Sequence, residues 1–220
     1  MRLRVCAVLF AALAIASNAR AANIQQLIQD TQRVSQDGGH LTLVWWIPQA
    51  YWQMSVNANT ALSPEGRAQT LKALEDYTVF VLVRATPGVG GIAEASSLDD
   101  MLLNSTLEVG GETVRPISGD AISPQATNIL ATLKPVLSHL LGQLGQIMQV
   151  VVYPAKKDGK LIIDPTASGG FTYTLFDQTF RWHLPLGSLL PPRFDPKTKE
   201  QFPGNYEFNP YTGAKLSTTL

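Results

Sequence analysis

The sequence predicts an α+β protein: an antiparallel sheet or sandwich with helices packed on one side, plus a small C-terminal knuckle hairpin. Two observations carry this. Short β-type runs outnumber the long helical ones, and most are joined by short turn signals that make neighbouring strands antiparallel. No repeat with a period of about 20–50 residues recurs, which argues against a solenoid.

The elements follow in order. Asn23 to Gln36 places Ile24, Leu27, Ile28 and Val34 near helical spacing, and Asp37-Gly38-Gly39 ends that helix. Leu41 to Ile47 is a β-type run stopped by Pro48, and a short helix follows over Gln49 to Val56. Ser63-Pro64-Glu65 starts the next helix: serine caps, proline suits the first turn, and the acid meets the positive end of the dipole. Ala68, Leu71 and Leu74 are its inward set, and Thr78 to Arg84 is a buried strand. Ala85 to Ser96 reads as a Gly-rich loop, and Ser97 with Asp100 as a capping box.

Gly110-Gly111 joins Thr106–Val109 to Glu112–Ile117 as a hairpin. Ser123-Pro124 opens the most apolar helix, expected to run through Ile147 and Met148, to be kinked or split by Pro135, and to lie centrally. Lys157-Asp158-Gly159 joins Gln149–Tyr153 to Lys160–Ile163. Asp177-Gln178 joins Phe171–Phe176 to Thr179–Leu184, whose second arm puts Phe180, Trp182 and Leu184 on one face. Gly187 to Pro192 is a Pro-rich link from the main domain, residues 22–191, to a tail over residues 192–220.

Residues 1–21 have the build of a secretory signal peptide: Arg2 and Arg4, an apolar stretch from Val5 to Ala16, and an Ala19-Arg20-Ala21 cleavage site. The stretch is short for a membrane span, which needs about 20 apolar residues. The expected location is therefore periplasmic or secreted, with no transmembrane segment after cleavage. The short Ala-rich leader resembles those of exported bacterial proteins, in style rather than in motif. The one cysteine, Cys6, lies within the leader, so the remainder must rely on an apolar core without disulfides. Arg2, Arg4 and Arg20 leave with the leader, so 14 basic residues face 17 acidic ones. No basic stripe points to nucleic acid.

The chemical motifs are weak. Gly88-Val89-Gly90-Gly91-Ile92-Ala93 fits G-x-G-x-x-A, with Glu108 downstream, but a hairpin follows where a dinucleotide fold needs a parallel strand. No cofactor is assigned. His40, His139 and His183 are isolated, without a second ligand at metal spacing, so no metal or catalytic residue is assigned. Asp158-Gly159 and Asp164-Pro165 read as turns rather than calcium ligands. The densest aromatic cluster is Trp45, Trp46, Tyr51 and Trp52. On a one-sided sheet at most one of Trp45 and Trp46 is core. Helix-to-sheet packing is the favoured role of the cluster, and Tyr51 and Trp52 are its candidate ligand surface.

The tail holds one phrase twice: Asp195-Pro196-Lys197-Thr198 and Asn209-Pro210-Tyr211-Thr212-Gly213. With cysteine at Asp195, Thr198, Asn209 and Thr212 these would read C-P-x-C and C-P-x-C-G, with ten residues between Thr198 and Asn209. The tail thus resembles a zinc ribbon that has lost all four thiolates. The oxygen ligands left would hold zinc poorly. Asp and Asn can preserve the turns by accepting amide hydrogen bonds, with Phe194, Phe202, Tyr206, Phe208 and Tyr211 as a small apolar core. The function expected is non-enzymatic binding of an unknown protein or small molecule, or an envelope-associated role. The alternative is a hydrolase-like enzyme whose site is assembled from distant residues.

Overall fold

The computed structural model describes residues 24–219. The leader, Cys6 and the start of the first helix at Asn23 lie outside the described residues. The elements are α1 (residues 24–31), β1 (Gln32–Asp37), β2 (His40–Ile47), α2 (Gln49–Ala58), α3 (Pro64–Leu74), β3 (Tyr77–Gly88), β4 (Gly91–Ala95), α4 (Leu98–Leu103), β5 (Ser105–Val109), β6 (Glu112–Val114) and α5 (Pro124–Leu141). They continue as β7 (Gln149–Pro154), β8 (Lys156–Lys157), β9 (Lys160–Leu161), β10 (Gly169–Leu175), β11 (Gln178–Leu184), β12 (Arg193–Phe194) and β13 (Gln201–Phe202).

Two antiparallel sheets face each other. The first runs β1-β2-β3, with β7 pairing residues 77–82 of β3 and β4 pairing residues 85–88 along the same edge. The second runs β11-β10-β5-β6. Strand alternation sends Trp46 and Phe80 towards the second sheet, where Trp46 meets Phe171 edge-on at 4.9 Å and Phe80 stacks on Tyr173 at 4.7 Å. Phe171 in turn stacks on Trp182 at 4.7 Å. Trp45 points the other way and meets Tyr51 of α2 at 5.5 Å. The end of α5 covers that same outer face beside Leu41 and Ala85. The order of layers is therefore helices, sheet, sheet.

Covering the first sheet on both faces explains why β3 is buried continuously from Thr78 to Ala85. It also buries both tryptophans, each 1% exposed, where a one-sided sheet would have buried only one. At the seam, α1 joins the layers: the Thr31 hydroxyl accepts from Trp45 Nε1 at 3.2 Å, and the Thr31 carbonyl accepts from Trp182 Nε1 at 3.1 Å. Arg33 caps this helix by donating to the Asp30 and Gln32 carbonyls, and its guanidinium lies over Trp182. Burial lowers the Arg33 pKa, with Asp30 opposing the shift.

Several local expectations are corrected. The first helix stops at Thr31, and residues 32–37 form β1, because Gly38 and Gly39 at φ 58° and 78° close a hairpin rather than end a helix. Residues 85–96 are not a loop but mostly the β3–β4 hairpin, so the G-x-G-x-x-A stretch spans a turn and opens no helix. Ala68 is exposed on α3. α5 runs unbroken through Pro135 and ends at Gly142, φ 59°, well before Met148. It is an outer-layer helix, with only Ala126 and Leu137 fully buried. β7 pairs with β3, and Asp158-Gly159 closes only the two-residue strands β8 and β9. The β10–β11 turn is Phe176-Asp177, one residue earlier than predicted.

Candidate functional site

Three helices on the outer face of the first sheet leave a groove of about 390 Å³ between them. α2 contributes Trp52, Ser55 and Val56, and Asn59 follows at its C-terminal cap. α3 contributes Thr70, α5 contributes Asn128, Ile129, Thr132, Leu133 and Val136, and Leu62 comes from the α2–α3 turn. Ser63 and Ser123 position the walls by capping α3 and α5 at Gly66 and Ala126. Tyr77 ties α5 to the sheet, its hydroxyl accepting from the Ser123 amide at 3.0 Å.

Several hydroxyl and amide groups of the groove are engaged locally, whereas the buried Trp52 Nε1 has no hydrogen-bond partner among the described residues. Thr70 donates to the Gly66 carbonyl at 2.8 Å, Thr132 to the Asn128 carbonyl at 2.9 Å, and Asn59 accepts from the Ala61 amide. No lining residue is charged. Trp52 forms the floor, and Val136, 56% exposed, stands at the rim. The size and apolar lining suit a small-molecule pocket.

The candidate pair Tyr51 and Trp52 is buried, at 5% and 1% exposed. Tyr51 packs edge-on to both Trp45 and Trp52, and burial raises its phenol pKa, partly opposed by Ser55. Only Trp52 reaches the groove. Its apolar partners lie on α5, the helix expected to be central, and a 3.6-residue spacing alone does not tell a core face from a groove wall.

A larger cleft of about 660 Å³ lies between the β5–β6 and β8–β9 hairpins, beside Arg115, Lys156, Lys157 and Lys160. It is the weaker candidate, because two of its cations already have partners: Lys157 with Glu112 at 2.5 Å and Lys156 with Asp76 at 2.9 Å. These pairs raise both lysine pKa values, chiefly through the hydrogen bonds that Lys157 and Lys156 donate to Glu112 and Asp76.

The histidines lie apart. His40 Nδ1 is 3.2 Å from the Thr86 hydroxyl across paired strands, while His139 on α5 and His183 on β11 are exposed on opposite outer layers. Among the described residues, no group of three or more His, Cys, Asp or Glu could hold a metal ion. Among them also, no helix is long and apolar enough to cross a membrane.

The tail repeats its geometry along with its phrase. Asp195 Oδ1 accepts from the Lys197 and Thr198 amides at 2.8 and 3.0 Å, and Asn209 Oδ1 accepts from those of Tyr211 and Thr212 at 2.9 and 3.3 Å. The Thr198 and Thr212 hydroxyls each accept from the amide two residues on. Lys199 and Gly213 take the left-handed position, φ 62° and 72°, and donate to the Asp195 and Asn209 carbonyls. The two turns are joined side chain to side chain: Asn209 Nδ2 donates to Asp195 Oδ2 at 2.7 Å, and both residues are only 2% exposed. Hydrogen bonds hold the Asp195 carboxyl below the usual range, that from Thr198 first, then those from Asn209 and Lys197.

The aromatic mini-core expected here is smaller than the sequence suggested. Phe202 and Leu216 are buried, whereas Tyr206, Phe208 and Tyr211 are exposed. The module docks by close backbone approach. The Gly204 amide donates to the Gly187 carbonyl at 3.2 Å, and a Cβ on Gly204 would sit 2.4 Å from the Pro191 oxygen. The link is itself anchored, with the Ser188 amide donating to Asp30 of α1 at 2.8 Å.

Comparison of the chain with family models, with curated proteins and with solved structures finds no match.

Proposed function

We propose that this is an exported, non-catalytic binding protein that takes an uncharged, mainly apolar small molecule in the groove between α2, α3 and α5. The observation that carries this reading is the groove lining: Trp52, Val56, Leu62, Ile129, Leu133 and Val136 surround about 390 Å³ without one charged side chain. A charged ligand would lose its hydration there without gaining a partner. The separated histidines also favour binding over acid–base chemistry.

The test is fluorescence titration with a neutral apolar dye such as Nile red, followed by displacement with a medium-chain fatty alcohol. A charge at the exposed rim, Val136→Asp, is expected to weaken dye binding at least about tenfold, the equivalent of 1.4 kcal/mol. The melting temperature should stay close to that of the parent, because the residue is half exposed. Unchanged affinity in Val136→Asp, or no saturable binding by the parent protein, overturns the assignment.

In the same reading the tail is a metal-free zinc-ribbon remnant that serves as a structural clasp. The duplicated hydrogen-bond set supports it, because in both knuckles an oxygen accepts the amide bonds that a thiolate would accept. Replacing Asp195, Thr198, Asn209 and Thr212 together with cysteine should produce one tetrahedral cobalt(II) site with thiolate charge-transfer absorption. A folded variant without that absorption would refute the resemblance.

A further inference from the structure

One end of the sandwich interior is polar. Alternation along β3 puts Arg84 on the face of Phe80, so it projects between the sheets, and it is 8% exposed. Its Nη1 donates to the hydroxyl of Thr42, its register partner on β2, at 3.2 Å, and pairs with Asp177 Oδ1 at 3.2 Å. The guanidinium lies 4.5 Å from the centre of the Phe176 ring. Among the described residues Nε and Nη2 have no hydrogen-bond partner, so the side of the guanidinium suited to a bidentate carboxylate is unfilled.

The acid on this cation is poorly committed to it. The Asp177 side chain is 70% exposed on the β10–β11 turn. The preceding Phe176 has φ 54°, a conformation a bulky residue seldom takes, and its amide donates to the Asn104 carbonyl at 2.7 Å. Strain at a turn that carries a charged contact is a reason to look for function there. The next residue, Gln178, faces inward with Phe180 and Trp182 and is 8% exposed, yet neither its Nε2 nor its Oε1 has a hydrogen-bond partner. An inaccessible, unpaired amide is costly, so its presence next in sequence to the acid that meets Arg84 calls for an explanation.

We propose that this end of the sandwich is a carboxylate-binding site. Arg84 is its anchor and Gln178 its amide donor. Asp177 is the neighbouring acid whose charge competes with a ligand carboxylate for the same guanidinium. The ligand class is read from the group that now sits there: Asp177 shows that a planar carboxylate fits against Arg84 over the Phe176 ring. Asp177 uses one guanidinium nitrogen, whereas a free carboxylate can take the Nε and Nη2 pair. Being exposed, Asp177 can swing out and regain water. The site lies on the inner side of the first sheet, opposite the apolar groove, so it stands or falls separately from that reading.

The test is an NMR titration of the purified protein with sodium acetate, following the Arg84 Nε–Hε signal and the Phe176 and Asp177 amides. Sodium chloride at equal ionic strength is the control, and sodium phosphate is the tetrahedral alternative. Acetate should give saturable shifts in the parent protein. Asp177→Asn, which removes the competing charge at an exposed position, should tighten binding at least about fivefold. Arg84→Lys keeps the charge but loses the fork and should abolish binding, with the fold checked by circular dichroism. The proposal fails if acetate moves these signals no more than chloride does in both parent and Asp177→Asn, or if Asp177→Asn binds no tighter. It also fails if phosphate binds as well as acetate, or if a folded Arg84→Lys binds like the parent.

Discussion

Replacing Asn209 with alanine is the sharpest probe of the tail. The side chain, 2% exposed, accepts two turn amides through Oδ1 and donates to Asp195 through Nδ2 at 2.7 Å. Each ordinary hydrogen bond contributes about 1 kcal/mol and one to a charged group about 1.5–3 kcal/mol, while the freed turn amides can recover water. The expected loss is about 2–4 kcal/mol. Native-state hydrogen exchange is the assay, because all four tryptophans lie before residue 192 and report on that part of the chain. Protection should fall at the Lys197, Thr198, Lys199 and Gly213 amides. Asn209→Asp adds a second discriminator, because it keeps the turn acceptor but sets two carboxylates against each other.

Like charges raise the apparent pKa of such a pair above its unfolded value, so the native state binds more protons than the unfolded one. Stability of Asn209→Asp should therefore rise on acidification from neutral pH. The parent behaves oppositely. Its Asp195 pKa is depressed on folding, so the stabilisation is present above the unfolded value of about 3.9 and lost as pH falls below it. Unchanged protection at residues 197–199 in Asn209→Ala, or the same pH slope in parent and Asn209→Asp, would refute the idea that this pair clasps the two knuckles.

Further outcomes follow from the same geometry. Thr31→Val removes the hydroxyl that accepts from Trp45 Nε1 and leaves that donor buried, so urea melts should show a loss of about 1–3 kcal/mol; parity with the parent would mean the seam bond contributes nothing. Burial raises the phenol pKa of Tyr51, Tyr153 and Tyr173, the last well above the ordinary range. Their stabilisation is intact below about pH 10 and lost as pH rises beyond it, so near-ultraviolet absorbance should show these three ionising only together with alkaline unfolding. Gly142→Ala forces a side chain into φ 59° at the end of α5, and chemical denaturation should show a loss of about 1–3 kcal/mol.

The parts of the fold legible in the sequence were those set by local chemistry. Ser63-Pro64 and Ser123-Pro124 start helices, Ser97 and Asp100 form a capping box, and Gly110-Gly111 closes a hairpin, each through contacts within a few residues. The tail knuckles belong with these, because Asx turns satisfy their own amides. What was misread depends on distant partners. Residues 32–37 follow a helix without a break, and only pairing with β2 makes them a strand. Residues 85–95 have the composition of a loop, and only their mutual pairing makes them a hairpin. Trp52 lies in the densest aromatic cluster of the sequence, but its groove needed α5, brought about 80 residues back along the chain by packing on the same sheet.

By itself the amino-acid sequence determined the α+β class, the antiparallel pairing through tight turns, the main helix starts and the twin turns of the tail, because caps, turns and hydrophobic periods act over one or two turns of chain. Tertiary structure alone decided that the first sheet is covered on both faces, that Tyr206, Phe208 and Tyr211 turn outward, and that Asp195 meets Asn209. It alone also brought Arg84 to Asp177 and buried the Gln178 amide without a partner. Those outcomes rest on which surfaces exclude water together, and residues far apart in the chain settle that jointly.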